Sequence, residues 1–505
     1  MTLAALESRL QQDLSLLELP AKPWVIPRAH QNQPMLDVAI IGGGMAGLAA
    51  AASLKMQGIH AVIFDRSPEG FEGPWATTAR METLRSPKQL AGPAIGVPAL
   101  TFRAWFEAQH GSAAWDALDK IPRLQWMDYL RWYRSVLSLD VRNLHLVEQV
   151  LPLAQDRVEL RVRRCAPMNQ TVSSGATNFE REGVRDHAAS VFARRVVLAT
   201  GRDGLGSSWV PAFAHSLARE SWAHSSDVMD YNKLRGLKVG VIGGSASAMD
   251  SAATALESGA ASVDLLIRRS VMPLINKSKG AGSPGLSQGF YQLTDDWRWR
   301  IRHYMNAEQT PPPRGSTLRV SRHPQARFNL GCPVLQAEMR GRVVHLTTPM
   351  GLFELDFLVF ATGFRVNLEA RPEFASFASH IRFWRDRYQP APGGEDEELS
   401  ESPDLGPAFE FLAKTEAACP GLSRIHCFAY PAVMTHGPLS GDIPAISDGA
   451  RRLADGLAAS FFKEDIAEHY EKIKAYADPE LLGNEWQDAH STASLRPESF
   501  AFKKT

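Results

Sequence analysis

Cysteine is scarce in this chain of 505 residues. Its four thiols, Cys165, Cys332, Cys419 and Cys427, lie far apart and form no C-x-x-C pair. That argues for a reducing compartment, and against both a structural zinc and a disulfide-reductase mechanism. Charge of one sign is also missing: 55 Lys and Arg balance 55 Asp and Glu. No global field therefore favours nucleic acid or an anionic membrane. No run of 18 apolar residues occurs, so no membrane span is expected. A signal peptide is not visible, because Glu7, Arg9 and Asp13 interrupt the leucine pattern of Met1 to Leu19. A cytoplasmic location is the expectation. Leu3, Leu6, Leu10, Leu14 and Leu17 recur at helical spacing and predict an amphipathic helix packed on the body.

What is present is apolar mass, at 44% of residues, in a chain long enough for two or three domains. Within it stand two glycine-rich turns, each after an apolar strand and before a small-residue helix. The first reads Asp37-Val38-Ala39-Ile40-Ile41, then Gly42-Gly43-Gly44-Met45-Ala46-Gly47. In this G-x-G-x-x-G, Gly42 permits the turn, Gly44 admits a pyrophosphate and Gly47 allows close helix–strand packing. The helix behind it aims its first amides at the phosphates. A second strand, Ala61 to Phe64, ends in Asp65, 23 residues after Gly42, where an acid meets an adenosine ribose. Ala46 in the turn and Arg66 beside the acid complete this expected contact set.

The second turn is a variant. It reads Gly243-Gly244-Ser245-Ala246-Ser247-Ala248, with Ser245 and Ala248 in place of two glycines. Small residues still allow close approach, and the Ser245 hydroxyl can donate to a phosphate. The next strand, Ser262 to Ile267, ends in Arg268-Arg269, and Arg268 lies 25 residues after Gly243. Two guanidiniums there suit a 2′-phosphate, so this site predicts NADPH rather than NADH. Two apolar strands, Val196 to Leu198 and Phe357 to Phe360, each run into Ala-Thr-Gly, at Ala199-Thr200-Gly201 and Ala361-Thr362-Gly363. Two dinucleotide sites in one chain imply hydride transfer between cofactors.

With these motifs the chain resembles the two-dinucleotide-binding flavoproteins, and more narrowly the class B flavin monooxygenases. That group comprises flavin-containing monooxygenases, Baeyer–Villiger enzymes and amine N-hydroxylases. The resemblance covers roughly residues 36–465. Gly73-Pro74-Trp75 resembles the family's Gly-Gly-x-Trp. Arg85-Ser86-Pro87-Lys88 resembles Asn-x-Pro-Lys, with Arg85 where an asparagine faces the flavin. Asp356 and Ala361-Thr362-Gly363-Phe364 match Asp-x-x-x-x-Ala-Thr-Gly-aromatic, and Gly441-Asp442 resembles the pair that meets the ribityl chain. In the linker His224-Ser225 is kept, but Ala218, Glu220 and Val228 replace the family's Phe, Gly and closing aromatic. These departures mark a divergent branch.

The order of motifs predicts an α/β fold of two Rossmann-like dinucleotide-binding domains, the NADPH domain inserted in the FAD domain. The expected divisions are an N-terminal helical extension over 1–35, FAD domain over 36–205 and 346–465, NADPH domain over 206–345, and a C-terminal extension over 466–505. Residues 276–330 contain many arginines, namely Arg298, Arg300, Arg302, Arg314, Arg319, Arg322 and Arg327. They read as a long loop, either a lid or substrate segment or a solvated basic insertion. Facing the site, they would favour an anionic substrate. Aromatic residues over 100–140 read as a packed helix interface or a substrate wall. Residues 142–198 read as meander strands with a polar loop from Asn169 to Glu182. Tyr388 to Asp404 read as an exposed acidic loop.

The resemblance implies an NADPH-dependent FAD monooxygenase that forms a C4a-(hydro)peroxyflavin and oxygenates a soft nucleophile. N-hydroxylation of an amine or amino acid, or S-oxidation, is favoured over Baeyer–Villiger insertion. An FAD reductase or oxidase serving a partner or quinone is the rival. FAD would be held by Gly42, Gly44, Gly47, Asp65, Trp75, Gly201 and Asp442, with Thr362 and Gly363 at the second motif. NADPH would lie on Gly243, Ser245, Ala246, Ser247, Arg268 and Arg269. Arg85 and His436 are the catalytic candidates, although a lone histidine is more often structural. The partners expected are a small-molecule substrate and O2, and homo-oligomer formation stays open. Arg85→Ala is expected to leave NADPH oxidation running without matching product, measured as product formed per NADPH consumed.

Overall fold

The computed structural model describes residues 2–153, 156–166, 188–415 and 417–489. The polar loop expected from Asn169 to Glu182 lies outside the described residues. The helix Leu3–Leu16 buries Leu6, Leu10 and Leu14 as their spacing requires, while Leu17 stays exposed beyond its end.

The first sheet has seven strands. Leu36–Ile41, with Val38, Ala39 and Ile40 fully buried, pairs in parallel with Ala61–Phe64 on one side and Ala189–Leu198 on the other. Asp140–Arg142 extends one edge in parallel. Ala189–Leu198 serves two partners. Its first half runs antiparallel to Val158–Arg164, which continues to His145–Leu151, and its last residues pair in parallel with Ile425–Cys427. The chain therefore returns to this sheet more than two hundred residues later, as a nested domain requires.

The second sheet holds five parallel strands in the order Trp222–His224, Phe357–Phe360, Lys238–Ile242, Ser262–Ile267 and Ala326–Leu330. Phe357–Phe360 lies inside this sheet rather than returning the chain to the first one. The expected boundary at residues 345 and 346 is therefore too early, and the crossing comes after Gly363. The reason is pairing: the turn at Gly243 needs a neighbouring parallel strand, and Phe357–Phe360 supplies it. Each sheet carries its own apolar core. The two crossings, Gly206–Ser208 and Phe364–Val366, pair antiparallel with each other. A Cβ on Gly206 would sit 1.9 Å from the Arg365 carbonyl oxygen, so only glycine lets these strands meet.

Residues 276–330 are not a long loop. They form the helices Lys277–Ala281, Pro284–Gly289, Asp295–Glu308 and Arg314–Ser321, followed by the edge strand Ala326–Leu330. Trp299 anchors them beside Trp384, Leu399 and Met434. Phe102, Trp105, Trp115, Trp126 and Tyr129 pack on one another in the interior, which is the helix-interface reading of residues 100–140. Asp404 is fully buried against Arg382 and Arg387, so the segment expected as an exposed acidic loop ends inside the protein.

The long helix Ile446–Glu464 lies along Met45–Met56. It ends at Asp465, a fully buried carboxylate that accepts from both ends of the buried Arg194 guanidinium, at 2.8 and 2.9 Å, and from Arg28 at 2.6 Å. Burial alone would raise this carboxyl, but the hydrogen bonds from Arg194 and Arg28 outweigh it and hold it below the ordinary value. A depressed carboxyl stabilises the fold above its unfolded pKa, and that contribution fades as pH falls through the folded value. Asp465→Asn is expected to cost about 3–5 kcal/mol at pH 7, as for other broken buried pairs. The gap to the parent should narrow below about pH 4, as measured by urea unfolding at both pH values.

Candidate functional site

The two glycine turns have the same construction. Gly42 and Gly243 adopt φ of +106° and +133°, in the region that favours glycine. A Cβ on Gly42 would lie 2.5 Å from the Ala199 carbonyl oxygen, and one on Gly243 would lie 2.5 Å from that of Ala361. The amides of Ala199 and Ala361 in turn donate to Ile41 and Ile242, each at 2.9 Å. Each Ala-Thr-Gly thus closes against its own glycine turn, and Gly201 and Gly363 follow at φ of +88° and +86°. The Thr200 hydroxyl donates to the Gly204 carbonyl, and that of Thr362 to the Trp209 carbonyl. Thr362 therefore fixes the crossing with the group expected to meet a cofactor.

Both helices behind the turns begin without a side-chain cap, at Gly44 and at Ser245, and without an acid in their first turn. Their first amides are left for an anion, the fit a pyrophosphate requires. Gly47 packs so closely that a Cβ would meet the Gly42 carbonyl oxygen at 2.0 Å. Ala246, Ser247 and Ala248 fill the equivalent turn of the second helix, where Ala248 is fully buried in place of the third glycine.

Asp65 has a further duty. Its buried carboxylate accepts from the Gly43 amide at 2.6 Å and from the Ser67 amide at 2.7 Å. It thereby staples the turn to the second strand, and each oxygen keeps acceptor capacity for a ribose. Beside it lies Glu72, which sequence spacing does not reveal. Glu72 is buried and accepts from Arg134 at 2.8 Å and Asn143 at 2.6 Å, and burial raises its carboxyl. Arg66 is exposed next to the acid, and Trp75 is half-buried with its ring edge-on to Trp126.

Charged side chains from five stretches of the chain, Arg85, Arg202, Arg302, Glu398 and Asp442, lie within electrostatic reach of one another. The Asp442 carboxylate is solvent-accessible and makes no hydrogen bond among the described residues. The surrounding protein raises its carboxyl, against the pull of Arg202 and Arg302. Arg202 lies over the Tyr430 ring at 4.4 Å. Glu398 is raised likewise by the surrounding protein and next by Asp396, and is drawn down by Arg302, Arg202 and Arg365. Of the arginines over 298–327, Arg302 faces these acids. The others are engaged elsewhere or exposed: Arg298 pairs with Asp295, Arg300 with Asp296, Arg319 with Glu257 and Arg327 with Asp264. Arg85 lies 3.6 Å from Asp250 on the helix behind the second turn.

Arg268 is exposed and makes no ion pair or hydrogen bond among the described residues. Arg269 is tied to the Ala307 carbonyl at 2.8 Å, so the two guanidiniums part company.

His436 is a correction. It is fully buried and stacked between Phe409 and Tyr291, at 3.9 and 4.8 Å. Nε2 donates to the Gly406 carbonyl at 3.0 Å, and Arg452 approaches Nδ1 at 3.4 Å. Burial and then Arg452 push it down to about 3, so the ring is neutral and both nitrogens are engaged. It is built to position its neighbours. His224 is buried too, with Nδ1 2.7 Å from the Ser226 hydroxyl and the ring edge-on to Phe364 below the second Ala-Thr-Gly.

A family model described as FAD-NAD(P)-binding matches residues 39–203. The FAD-dependent urate hydroxylase of Xanthomonas campestris pv. campestris is 37% identical over 496 residues, covering 98% of this chain and 100% of the relative. Two solved structures share the backbone. One is an ornithine hydroxylase from Pseudomonas aeruginosa (16% identity, TM-score 0.63, 84% of this chain and 99% of that one). The other is L-lysine 6-monooxygenase from Pseudomonas syringae (15% identity, TM-score 0.62, 84% and 99%). Among the described residues no helix is long and apolar enough to cross a membrane, and no group of His, Cys, Asp and Glu could hold a metal ion.

His436→Phe keeps the ring stack and drops both polar contacts. It is expected to cost about 1–3 kcal/mol of stability, read by urea unfolding, while turnover of the folded, flavin-loaded protein changes little.

Proposed function

Because the chain belongs to the family of the FAD-dependent urate hydroxylase, a flavin monooxygenase family, we propose that it uses NADPH to hydroxylate a small planar anion of the urate type. The observation that carries this reading is the pair of equivalent glycine turns, each closed by its own Ala-Thr-Gly strand. Full-length identity to a hydroxylase supports the substrate class.

Bound FAD would supply hydride acceptance and oxygen activation, and the protein supplies placement and electrostatics. The uncapped amides behind Gly44 bind the FAD pyrophosphate, and Asp65 and Asp442 meet its sugar hydroxyls. The uncapped amides behind Ser245 bind the pyrophosphate of NADPH. Arg268 takes its 2′-phosphate, and Arg269 stands beside it. Arg302 and Glu398 come from the helices Asp295–Glu308 and Glu397–Ser400. Together they offer donors to ring carbonyl groups and an acceptor to ring N–H groups. Arg85 adds a positive charge, suited to charge that develops during oxygen transfer.

A second substrate class, amines and amino acids, is favoured by the backbone likeness to the ornithine and lysine enzymes. The test is to follow NADPH oxidation and O2 uptake by the flavin-loaded protein with urate, ornithine, lysine and a thioether. Urate-dependent stimulation with one hydroxylated product per O2 is expected. Stimulation by an amine alone would move the substrate to the second class. Equal NADPH oxidation without any of them, and reduction of an added quinone, would favour a reductase.

Arg268→Ala is expected to raise the KM for NADPH roughly 10–100-fold, the value of one or two charge-assisted hydrogen bonds. The KM for NADH should stay where it was, and initial rates with both nucleotides measure the ratio.

A further inference from the structure

The boundary between the two sheets is crossed by a buried charge cluster that no cofactor motif explains. Asp250 lies on the second turn of the helix Ala246–Glu257, and its side chain is 4% exposed. Its Oδ2 faces Arg85 at 3.6 Å, and its Oδ1 stands 3.9 Å from Arg319, too far for a hydrogen bond. That Oδ1 is buried and has no hydrogen-bond partner among the described residues. Arg319 has a better partner in Glu257, which it engages at 3.0 and 2.6 Å. Arg319 also donates across the boundary to the Arg80 carbonyl at 3.2 Å and lies 3.6 Å from Glu82. Arg80 in turn donates to the Met229 carbonyl at 3.4 Å and lies over the Tyr231 ring at 5.3 Å. The segment from Arg80 to Arg85 is thus one place where the first domain holds the second.

Asp250 is a poor stabiliser. Burial raises its carboxyl, and the Ser316 hydroxyl, Arg85 and Arg319 offset only part of that. Its charge is worse off in the fold than in water, and one oxygen is left unsatisfied. A carboxylate so placed contributes orientation rather than net stability. Its position says what it orients. It lies one turn behind the amides that begin at Ser245, and it reaches Arg85 of the first domain.

We propose that Asp250 is a positioning residue for hydride transfer. It holds Arg85 across the domain boundary and so fixes the angle at which the second nucleotide domain presents its cofactor to the first. This rests on the two-nucleotide reading above.

The test is anaerobic reduction of the flavin-loaded protein by NADPH, followed by stopped-flow absorbance of the flavin. Asp250→Asn keeps the shape, leaves Arg319 with Glu257, and frees an Arg85 side chain that is 42% exposed and can rehydrate. The expected result is a limiting reduction rate at least tenfold lower, with FAD content, unfolding midpoint and the half-saturating NADPH concentration unchanged. Asp250→Glu should recover part of the rate. Asp250→Asn combined with Arg85→Lys should lose less than the product of the single losses. A reduction rate equal to that of the parent overturns the proposal. So does a loss that is fully accounted for by lower FAD content or a lower midpoint. A parent protein that neither NADPH nor NADH reduces would overturn the two-nucleotide reading itself, and this proposal with it.

Discussion

A glycine Cα pressed against a carbonyl oxygen is the contact on which the molecule depends. It occurs twice, at Gly42 against Ala199 and at Gly243 against Ala361. In each case a side chain of any size would push apart a strand, the next parallel strand and the helix between them. The tight approach aims the uncapped helix end over the edge of the sheet, and an anion then completes it. Both nucleotide sites follow from this one steric fact, and so does the Ala-Thr-Gly that recurs beside each.

The second dependence is on clustered charge. Asp442, Glu398, Arg202, Arg302 and Arg85 arrive from separate stretches of chain, and the surrounding protein shifts both acids upward. Trp299, Trp384 and Leu399 pack together and lock the helices Asp295–Glu308 and Glu397–Ser400, which carry Arg302 and Glu398. Apolar packing therefore sets where the polar groups stand.

The motifs with a backbone cause were legible in the sequence. Gly42, Gly47 and Gly243 are required by close approach, and the strands around them read as apolar runs because they are buried on both faces. The helix over Leu3–Leu16 was legible from its leucine spacing. What was not legible depends on partners distant in sequence. Phe357–Phe360 reads like any buried strand, and nothing local says which sheet receives it. The arginines over 298–327 look like one basic surface, yet Arg298 and Arg319 are buried against acids and only Arg302 reaches Glu398 and Asp442. His436 looked catalytic by its place near Asp442, but its two stacking rings come from positions 291 and 409. Glu72 and Asp250 carried no spacing signal, because their partners lie on other elements.

The two connections between the domains are hydrogen-bonded to each other, with Phe364, Arg365 and Val366 opposite Ser208, Ser207 and Gly206. They form a ribbon rather than two independent strings. Such a ribbon resists splaying, because its strands would have to lose their pairing. A cut in one connection would leave the domains joined through the other, so the two halves of the cofactor machinery would not drift apart.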